Sequence, residues 1–218
     1  MAAYSYLIAE SYDLHERICA RFRLAGALHD VGKSLLPSEL FTKSAGLSAA
    51  ERQLVETHTQ EGYQLLTKAG HPGLETAGLV AKQHHENVDG SGYPAGLIGD
   101  AITLAARVVR VADTFDAVTS HRAYQAAKPE AEALDLLERG RHKHFDSSVL
   151  DAFLKGMRRY PAAPKRLTWL TADYVGPSDL GLESGEFFGT EDDSPDVSAK
   201  GWAPDWGAAL AWETRRLD

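Results

Sequence analysis

Several features that would place the chain in a common protein class are missing from its sequence. No run of about 18 apolar residues could form a transmembrane helix, and the N-terminal stretch MAAYSYLIAESYD carries acids where a signal peptide would carry bases. With one cysteine, Cys19, the chain can form no internal disulfide, and the helical pattern around it favours a buried, inert thiol over a reactive one. We therefore expect a cytoplasmic protein that does not enter a membrane.

The sequence also lacks an excess of positive charge. Its formal net charge is −8, and residues 166–218 hold 4 of the 23 basic and 11 of the 31 acidic residues. The rest of the chain is therefore nearly neutral, whereas a surface for duplex nucleic acid needs a clear excess of Lys and Arg. We expect no duplex nucleic acid partner. A small anionic substrate held by one or two local cations remains compatible with this balance.

Patterns typical of β-strands are missing too. No alternation of apolar and polar residues is long enough to build a sheet, and apolar residues recur instead at helical spacing. At 218 residues and 44% apolar content, the chain has room for one well-buried core. The sequence thus predicts an all-α helical bundle in residues 1–165. Residues 166–218 are rich in Gly, Pro, Ser and acids, and we expect a poorly structured tail whose tryptophans dock on the core or on a partner.

Start and stop residues delimit the predicted helices. One helix ends near His29 and Asp30, with Gly32 as its stop. Another begins at a capping-box pattern, Ser48 to Glu51, and continues through His58 and Tyr63. The remaining predicted helices cover about 73–85, about 104–118, the segment between Pro129 at a first helical position and Gly140, and a last segment capped by Asp146.

Histidines and acids on these helices form a pattern typical of a metal site. Neighbouring imidazoles such as His84 and His85 splay apart, and two buried neutral rings need two partners, which metal binding supplies. Asp113 lies on an otherwise apolar helix, where a carboxylate is costly unless it pairs with a metal or with a cation such as Arg107 or Arg110. A single histidine such as His58 is more often a surface or satisfied core residue, so the joint pattern carries the prediction.

The joint pattern indicates two metal ions in the core of the bundle. His29 and Asp30, with Lys33 as a mobile cation one turn later, can converge with the other three positions, because helical bundles build metal sites from inward side chains on facing helices. Mixed imidazole and carboxylate ligands suit iron, manganese or zinc. Two such ions about 3.5 to 4 Å apart bind the attacking and leaving oxygens of a phosphodiester. Phosphoester hydrolysis is therefore the predicted reaction class.

Two segments carry a resemblance to a known family. Residues 26–33 read GALHDVGK, and residues 84–94 read HHENVDGSGYP. Together they resemble the HD-GYP family, and further matches at 96–124 and 144–153 extend the similarity over about residues 14–157. The resemblance implies a helical HD-superfamily phosphodiesterase that hydrolyses the bacterial second messenger cyclic di-GMP to pGpG or onward to GMP.

The resemblance also implies metal ligands. Asp30 would bridge two divalent ions, usually iron or manganese, and hold a bridging hydroxide as the nucleophile. The other ligands would divide into two sets, His29 with Asp113 on one ion and His58, His84 and His85 on the other.

Substrate contacts are implied in the same way. Lys33 would contact the scissile phosphate or the nucleophile and stabilise charge in the transition state. Arg122 would grip a non-bridging phosphate oxygen, with a solvated surface arginine as the alternative. The loop containing Gly92, Tyr93 and Pro94 would shape the substrate mouth or dock diguanylate cyclase (GGDEF) domains, and a homodimer stays open.

The sequence departs from the family in two features that bear on metal and substrate binding. Family members carry an additional histidine about thirty residues ahead of the His-Asp pair, with a glutamate one turn before it in a trimetal subgroup. That position falls before Met1, so we expect an N-terminally shortened domain without a third metal and with weakened affinity for one ion. Glu10 and His15 are five residues apart, which does not reproduce the one-turn spacing. Gln125 replaces a second basic residue and removes one phosphate contact.

Two other functions therefore stay open. The missing ligand and Gln125 favour a degenerate HD-GYP domain that binds nucleotide or a partner protein without turnover. Alternatively, the substrate is another cyclic dinucleotide or a nucleotide, because nothing in the sequence reads the base. Four histidines have no ligand-like partner at a fixed spacing, and we expect them on the surface or in loops: His71, His121, His142 and His144.

Overall fold

The structure is a computed structural model that describes residues 1–43, 46–121 and 126–160. Regular elements in these residues are all helical, which confirms the predicted all-α class. None of the helices in these ranges has the length and apolar character needed to cross a bilayer. Arg122, Gln125 and the predicted tail over 166–218 lie outside the described residues, and the boundary at 165 stays a prediction.

Nine α-helices are described, together with three 3-10 helices. The α-helices are α1 (Ala2–Ser11), α2 (Glu16–Leu28), α3 (Glu39–Thr42), α4 (Ala49–Glu56), α5 (His58–Lys68), α6 (Glu75–Gln83), α7 (Leu104–Thr119), α8 (Glu130–Arg139) and α9 (Ser147–Arg159). The 3-10 helices are Val31–Leu35, Pro72–Leu74 and Gly99–Ala101.

Helix α7 forms the centre of the core. It carries fully buried residues such as Val108, and α1, α2, α6, α8 and α9 pack against it. The ring of Phe115 meets those of Tyr4 in α1 and Phe153 in α9 edge to face, with centroids 5.1 and 4.9 Å apart. Because neighbours hold α7 on several sides, the direction of Asp113 on this helix is fixed by the core.

Helix α1 is an element that the sequence analysis does not assign. Its buried residues do not form one stripe, because α1 lies between α2 and α9 and contacts both. Gly26 of α2 lies against Ser5, and Gly156 of α9 lies against Leu7. A methyl group on either glycine would come within 3 Å of these side chains. The two glycines therefore allow α1 to pack closely against both helices.

The single cysteine is buried, as predicted. Cys19 is 1% exposed, and its thiol donates a hydrogen bond to the Leu14 carbonyl at 3.3 Å. Burial raises the pKa of the thiol to about 11. The thiol is therefore protonated at neutral pH and inert as a nucleophile.

The predicted end of α2 near His29 and Asp30 is confirmed, but the predicted stop at Gly32 is wrong. The helix ends at Leu28, and Gly32 stands inside the 3-10 helix Val31–Leu35 instead of stopping α2. A Cβ atom on Gly32 would lie 2.0 Å from the carbonyl oxygen of His58. Gly32 therefore allows the 3-10 helix to pack closely on α5. The prediction was wrong because a glycine that ends a helix and a glycine that permits close packing look the same in sequence.

The predicted helix from Ser48 through Tyr63 is two helices. They part at Thr57, whose hydroxyl donates to the Leu54 carbonyl at 2.7 Å and competes with the helical backbone pattern. The break makes His58 the first residue of α5. The position of the His58 side chain is therefore determined by the start of α5, and not by the middle of a longer helix.

The other predicted boundaries agree more closely. The helix expected over 73–85 begins with a 3-10 turn, so α6 is shorter at both ends. Gly140 ends α8, and Asp146 caps α9 by accepting two amide hydrogens of its first turn. Pro129, predicted at the first helical position, is the N-cap of α8, so the helix begins one residue later at Glu130.

The capping box predicted at the start of α4 provides a test of helix capping. Ser48 Oγ accepts the Glu51 N–H at 3.3 Å, and the Glu51 carboxylate accepts the Ser48 N–H at 2.8 Å. We expect Ser48→Ala to lower the free energy of unfolding by about 1 kcal/mol, because one amide loses its acceptor. Ser38→Ala is the control, since Ser38 at the N-cap of α3 makes no side-chain cap bond. Urea denaturation measures both, and equal losses would contradict the expectation.

Candidate metal centre

Six residues predicted as metal ligands lie together at one end of the bundle. Helix ends and a mid-helix position bring them there, because α2 and α6 pack against the central helix α7 and α5 packs against α6. The residues are His29 at the C-cap of α2, Asp30 next to it, His58 at the start of α5, His84 at the C-cap of α6, His85 after it, and Asp113 in α7.

Asp30 is the centre of this cluster. Its Oδ1 atom lies 3.3 Å from His58 Nε2 and 3.5 Å from His84 Nε2. Its Oδ2 atom lies 3.2 Å from His29 Nε2 and 2.6 Å from Lys33 Nζ. The two carboxylate oxygens therefore face different sets of side chains, which is the arrangement that a carboxylate bridging two cations requires.

Three of the histidines are oriented by hydrogen bonds from Nδ1 to the backbone. The bonds are His29 to Gly26 O at 2.7 Å, His58 to Val55 O at 2.7 Å and His84 to Ala81 O at 3.0 Å. A carbonyl can only accept, so in each neutral ring the hydrogen is on Nδ1 and Nε2 presents a lone pair. Metal-ligating histidines are commonly held in this way.

The donor atoms fit a metal ion better than they fit one another. His58 Nε2 and His84 Nε2 are 3.4 Å apart, where two lone pairs repel unless a proton or cation lies between them. Asp30 Oδ1 and His29 Nε2 are buried and make no hydrogen bond. A cation would satisfy these atoms, and buried polar groups without such partners are costly.

Ligand distances and chemistry support the same conclusion. Within the described part of the chain, Asp30, His58, His84 and His85 offer ligand atoms that all lie within 4.8 Å of one another. A set of imidazoles and one carboxylate suits iron, manganese or zinc better than calcium or magnesium.

Asp113 pairs with a histidine instead of an arginine. Its Oδ1 atom lies 3.6 Å from His29 Nε2. The alternative partners are engaged elsewhere, since Arg110 donates to the Asn87 side chain and Arg107 pairs with Asp100 and Asp146. Among the described residues, Asp113 therefore does not form the alternative salt bridge to Arg107 or Arg110.

The charges of this cluster shift the pKa of His29 upward. Burial favours the neutral ring, but the negative charges of Asp30 and Asp113 outweigh it and raise the pKa of His29 to about 10. Burial likewise opposes ionisation of both carboxyls, yet His29 holds the pKa of each below its usual range. Without metal, the His29 ring therefore carries a positive charge at neutral pH.

The pKa values of His84 and His85, two other histidines of the cluster, shift downward instead. Burial lowers the pKa of His84 to about 4. Burial, and then the nearby His84 and His58, hold the pKa of His85 well below its usual range. These rings are neutral at physiological pH, which is the form that binds a metal.

Lys33 differs from the mobile cation that the sequence analysis expects. Its side chain is almost fully buried, and its Nζ atom lies 2.6 Å from Asp30 Oδ2. The short 3-10 helix turns Lys33 back toward the cluster, three residues after Asp30. The ammonium group is therefore fixed beside the candidate ligands before any substrate binds.

The loop expected to shape the substrate mouth lies against the cluster. The ring of Tyr93 stacks on that of His85, with centroids 4.6 Å apart and planes 19° from parallel. Gly92 passes so close that a Cβ atom there would lie 2.4 Å from the His85 carbonyl oxygen. Pro94 follows on the exposed side. Arg122, the other expected substrate contact, lies outside the described residues.

Some residues have environments that the sequence analysis did not predict. His144 lies in a turn before α9, which agrees with the expectation of a loop, but it is only 8% exposed. Its Nδ1 atom is buried without a hydrogen bond among the described residues, and burial lowers its pKa. Glu86, which follows the two histidines of the loop motif and received no role, is also buried. His15 caps α2 by accepting from Arg17 N–H and does not join the cluster.

Known proteins share sequence similarity with this chain. Residues 1–149 match the family model described as HD domain. The chain is 40% identical over 150 residues to the cyclic di-GMP phosphodiesterase response regulator RpfG of Xanthomonas campestris pv. campestris, covering 69% of this chain and 40% of that protein. It is 36% identical over 148 residues to a cyclic di-GMP phosphodiesterase of Thermotoga maritima, covering 68% of this chain and 40% of the other.

Two further comparisons concern a different cyclic dinucleotide. The chain is 34% identical over 161 residues to 3'3'-cGAMP-specific phosphodiesterase 3 of Vibrio cholerae, covering 74% of this chain and 35% of that protein. A crystal structure of the V. cholerae cyclic GMP-AMP specific phosphodiesterase V-cGAP3 matches with a TM-score of 0.62 and 15% identity, over 82% of this chain and 48% of that one. The structural match shows the fold alone. The chain spans less than half the length of these relatives.

Proposed function

Because the chain belongs to the HD domain family, in its HD-GYP type, we propose that it is a metal-dependent phosphodiesterase that hydrolyses cyclic di-GMP to pGpG, GMP or both. The observation that carries the proposal is the position of Asp30, whose two oxygens face two different groups of side chains. The names of the relatives from X. campestris and T. maritima support cyclic di-GMP as the substrate.

The proposed ligands form two sets around a shared carboxylate. Asp30 would contact both ions, which are iron or manganese in this proposal. His29 and Asp113 would complete one set, and His58, His84 and His85 the other. The two oxygens of Asp30, one near His29 Nε2 and the other near Nε2 of His58 and His84, support this division.

The residues of the chain then bind and orient the phosphodiester. Bound ions of this kind lower the pKa of a water molecule and stabilise charge on phosphoryl oxygens. Lys33 adds a fixed positive charge at the same place, and a preorganised charge stabilises the transition state without reorientation. Arg122 would hold a non-bridging oxygen. Tyr93, stacked on His85, would form one wall of the substrate mouth together with Gly92 and Pro94.

Turnover by the metal-loaded chain tests the proposal. The purified protein is loaded with Mn²⁺, or with Fe²⁺ without oxygen, and incubated with cyclic di-GMP, and the products are separated by chromatography. We expect pGpG or GMP to form, and we expect a chelator to abolish their formation. Tight calorimetric binding of unaltered cyclic di-GMP by fully loaded protein would favour a binding domain without turnover and would overturn the enzymatic proposal.

A second candidate substrate is 3'3'-cGAMP. Its support is the printed specificity of the V. cholerae relatives, which are 34% and 33% identical to this chain. An equimolar mixture of the two dinucleotides measures the ratio of their kcat/KM values directly. We expect cyclic di-GMP to be consumed first, and faster loss of 3'3'-cGAMP would assign the second substrate.

Location and partners are further proposals. We place the chain in the cytoplasm, with GGDEF domains docking on the loop at residues 90–94. Exposed Pro94 and Ile98, which is 66% exposed, support a docking surface there. A homodimer stays open.

Metal binding is expected to release a proton from His29. Its pKa of about 10 keeps the ring protonated at neutral pH, whereas a ligand must be neutral. Affinity for the ion at His29 should therefore rise about tenfold per pH unit up to about pH 10. Calorimetry at pH 7.5 in buffers of different ionisation enthalpy counts the protons. We expect His29→Gln to release about one proton fewer per chain than wild type, whereas His71→Gln, outside the cluster, should match wild type. An unchanged count in His29→Gln would contradict the assignment.

A further inference from the structure

Glu86 is a buried carboxylate that faces the loop instead of the metal cluster. It is 2% exposed and follows His84 and His85 directly in the chain. Its Oε1 atom accepts the Ala95 N–H at 2.8 Å, and its Oε2 atom accepts the Leu97 N–H at 3.0 Å. Burying a carboxylate is costly unless donors surround it, so these two bonds are a specific requirement of the fold.

The two amides belong to a loop that closes around this carboxylate. They flank Gly96, whose φ of +64° is a conformation that side-chain-bearing residues rarely adopt. At the two ends of the loop, Gly90 N–H donates to Asn87 O at 2.8 Å, and Gly99 N–H donates to Val88 O at 3.0 Å. Glu86 therefore supplies the internal acceptor for a segment with few backbone partners of its own.

The same loop also contacts His85 through Gly92 and Tyr93. Tyr93 N–H donates to the His85 carbonyl at 3.2 Å, and the Tyr93 ring stacks on the His85 ring. Gly92 leaves no room for a Cβ atom against the His85 backbone. The path of residues 92–97 therefore determines what covers the imidazole of His85.

We propose that Glu86 is a positioning residue, whose carboxylate holds residues 92–97 so that Tyr93 lies on His85 and the mouth of the site keeps its shape. The effect on catalysis rests on the proposed function, whereas the effect on the loop does not. Glu86→Gln replaces one of the two carboxylate oxygens with an NH₂ group. The amide keeps one acceptor, and its NH₂ group then faces the second N–H. One loop amide then loses its partner.

Hydrogen exchange tests the loop without any substrate. In Glu86→Gln, we expect at least one of the Ala95 and Leu97 amides to exchange about tenfold faster than in wild type, while amides of α7 keep their rates. Glu86→Ala should accelerate both amides. The control is Glu75→Gln, which changes an exposed acid at the start of α6 and should leave the loop unchanged. Unchanged exchange of both amides in Glu86→Gln would overturn the proposal.

Steady-state kinetics with cyclic di-GMP and metal analysis test the catalytic part. We expect Glu86→Gln to raise KM about tenfold, to change kcat less than about threefold and to keep the wild-type metal content. If metal content and kcat fall together at constant KM, Glu86 has only a structural role and the positioning proposal fails. Absence of turnover in wild type would count against the proposed function alone, since the exchange experiment still decides whether Glu86 holds the loop.

Discussion

Replacing Asp30 with Asn is expected to lower kcat/KM for cyclic di-GMP by at least about a thousandfold and to reduce the metal bound per chain. The amide keeps the shape of the side chain but has one acceptor oxygen and no charge. It can serve one set of ligands at most, whereas the carboxylate faces His29 with one oxygen and His58 and His84 with the other. Even changes outside the direct ligands cost about 10- to 100-fold in metal sites, so loss of a shared ligand costs more.

Metal analysis and kinetics measure this expectation together. Asp135→Asn is the matched control, because Asp135 forms an exposed pair with Arg139 on α8 outside the candidate ligand group, and such pairs contribute little. The control should keep both its metal content and its turnover. Undiminished turnover in Asp30→Asn would remove Asp30 from the mechanism, and with it the division of ligands into two sets.

The fold was predictable where local chemistry decides it. Ser48, Gly140 and Asp146 mark helix ends through bonds or conformations that involve only neighbouring residues. Helix α1 was not predictable in this way, because its apolar residues contact two different helices and form no single stripe. The break between α4 and α5 at Thr57 was also not predictable, since a threonine inside a helix leaves the pattern of apolar residues on both sides unchanged.

The site was predictable to a similar extent. The spacing of histidines and acids on separate helices indicated which side chains converge, because bundle helices point their apolar faces at one core. Burial of Lys33 was not predictable, because a lysine beside an acid is usually a solvated side chain and the 3-10 turn that buries it depends on Gly32. The burial of His144 and Glu86 was not predictable for the same reason, since residues distant in sequence cover them.

Gly32 has a structural role that sequence spacing does not show. It lies in the short 3-10 helix that begins after Asp30 and contains Lys33, and this helix packs on α5, which begins at His58. A Cβ atom on Gly32 would lie 2.0 Å from the His58 carbonyl oxygen and 2.5 Å from Gly62 N. Both are backbone atoms, so no side-chain rotation can relieve the overlap. The distance between Asp30 and His58 therefore depends on the absence of a side chain at this position.

Gly32→Ala is accordingly expected to lower the free energy of unfolding by about 3 kcal/mol or more, since overpacking against rigid atoms forces the backbone apart. Melting temperature should fall by about 10 °C. Protein that remains folded should lose about a hundredfold or more in kcat/KM, because a shift of about 1 Å separates Asp30 from His58 and misplaces the reacting groups. Gly46→Ala is the control, because no atom of the described residues beyond its chain neighbours lies within 4 Å of a Cβ atom there. It should stay within about 0.5 kcal/mol of wild type. Calorimetry and steady-state kinetics measure both variants. If Gly32→Ala matched Gly46→Ala in stability and turnover, α5 and the 3-10 helix would not need this close approach, and Asp30 would reach His58 by another route.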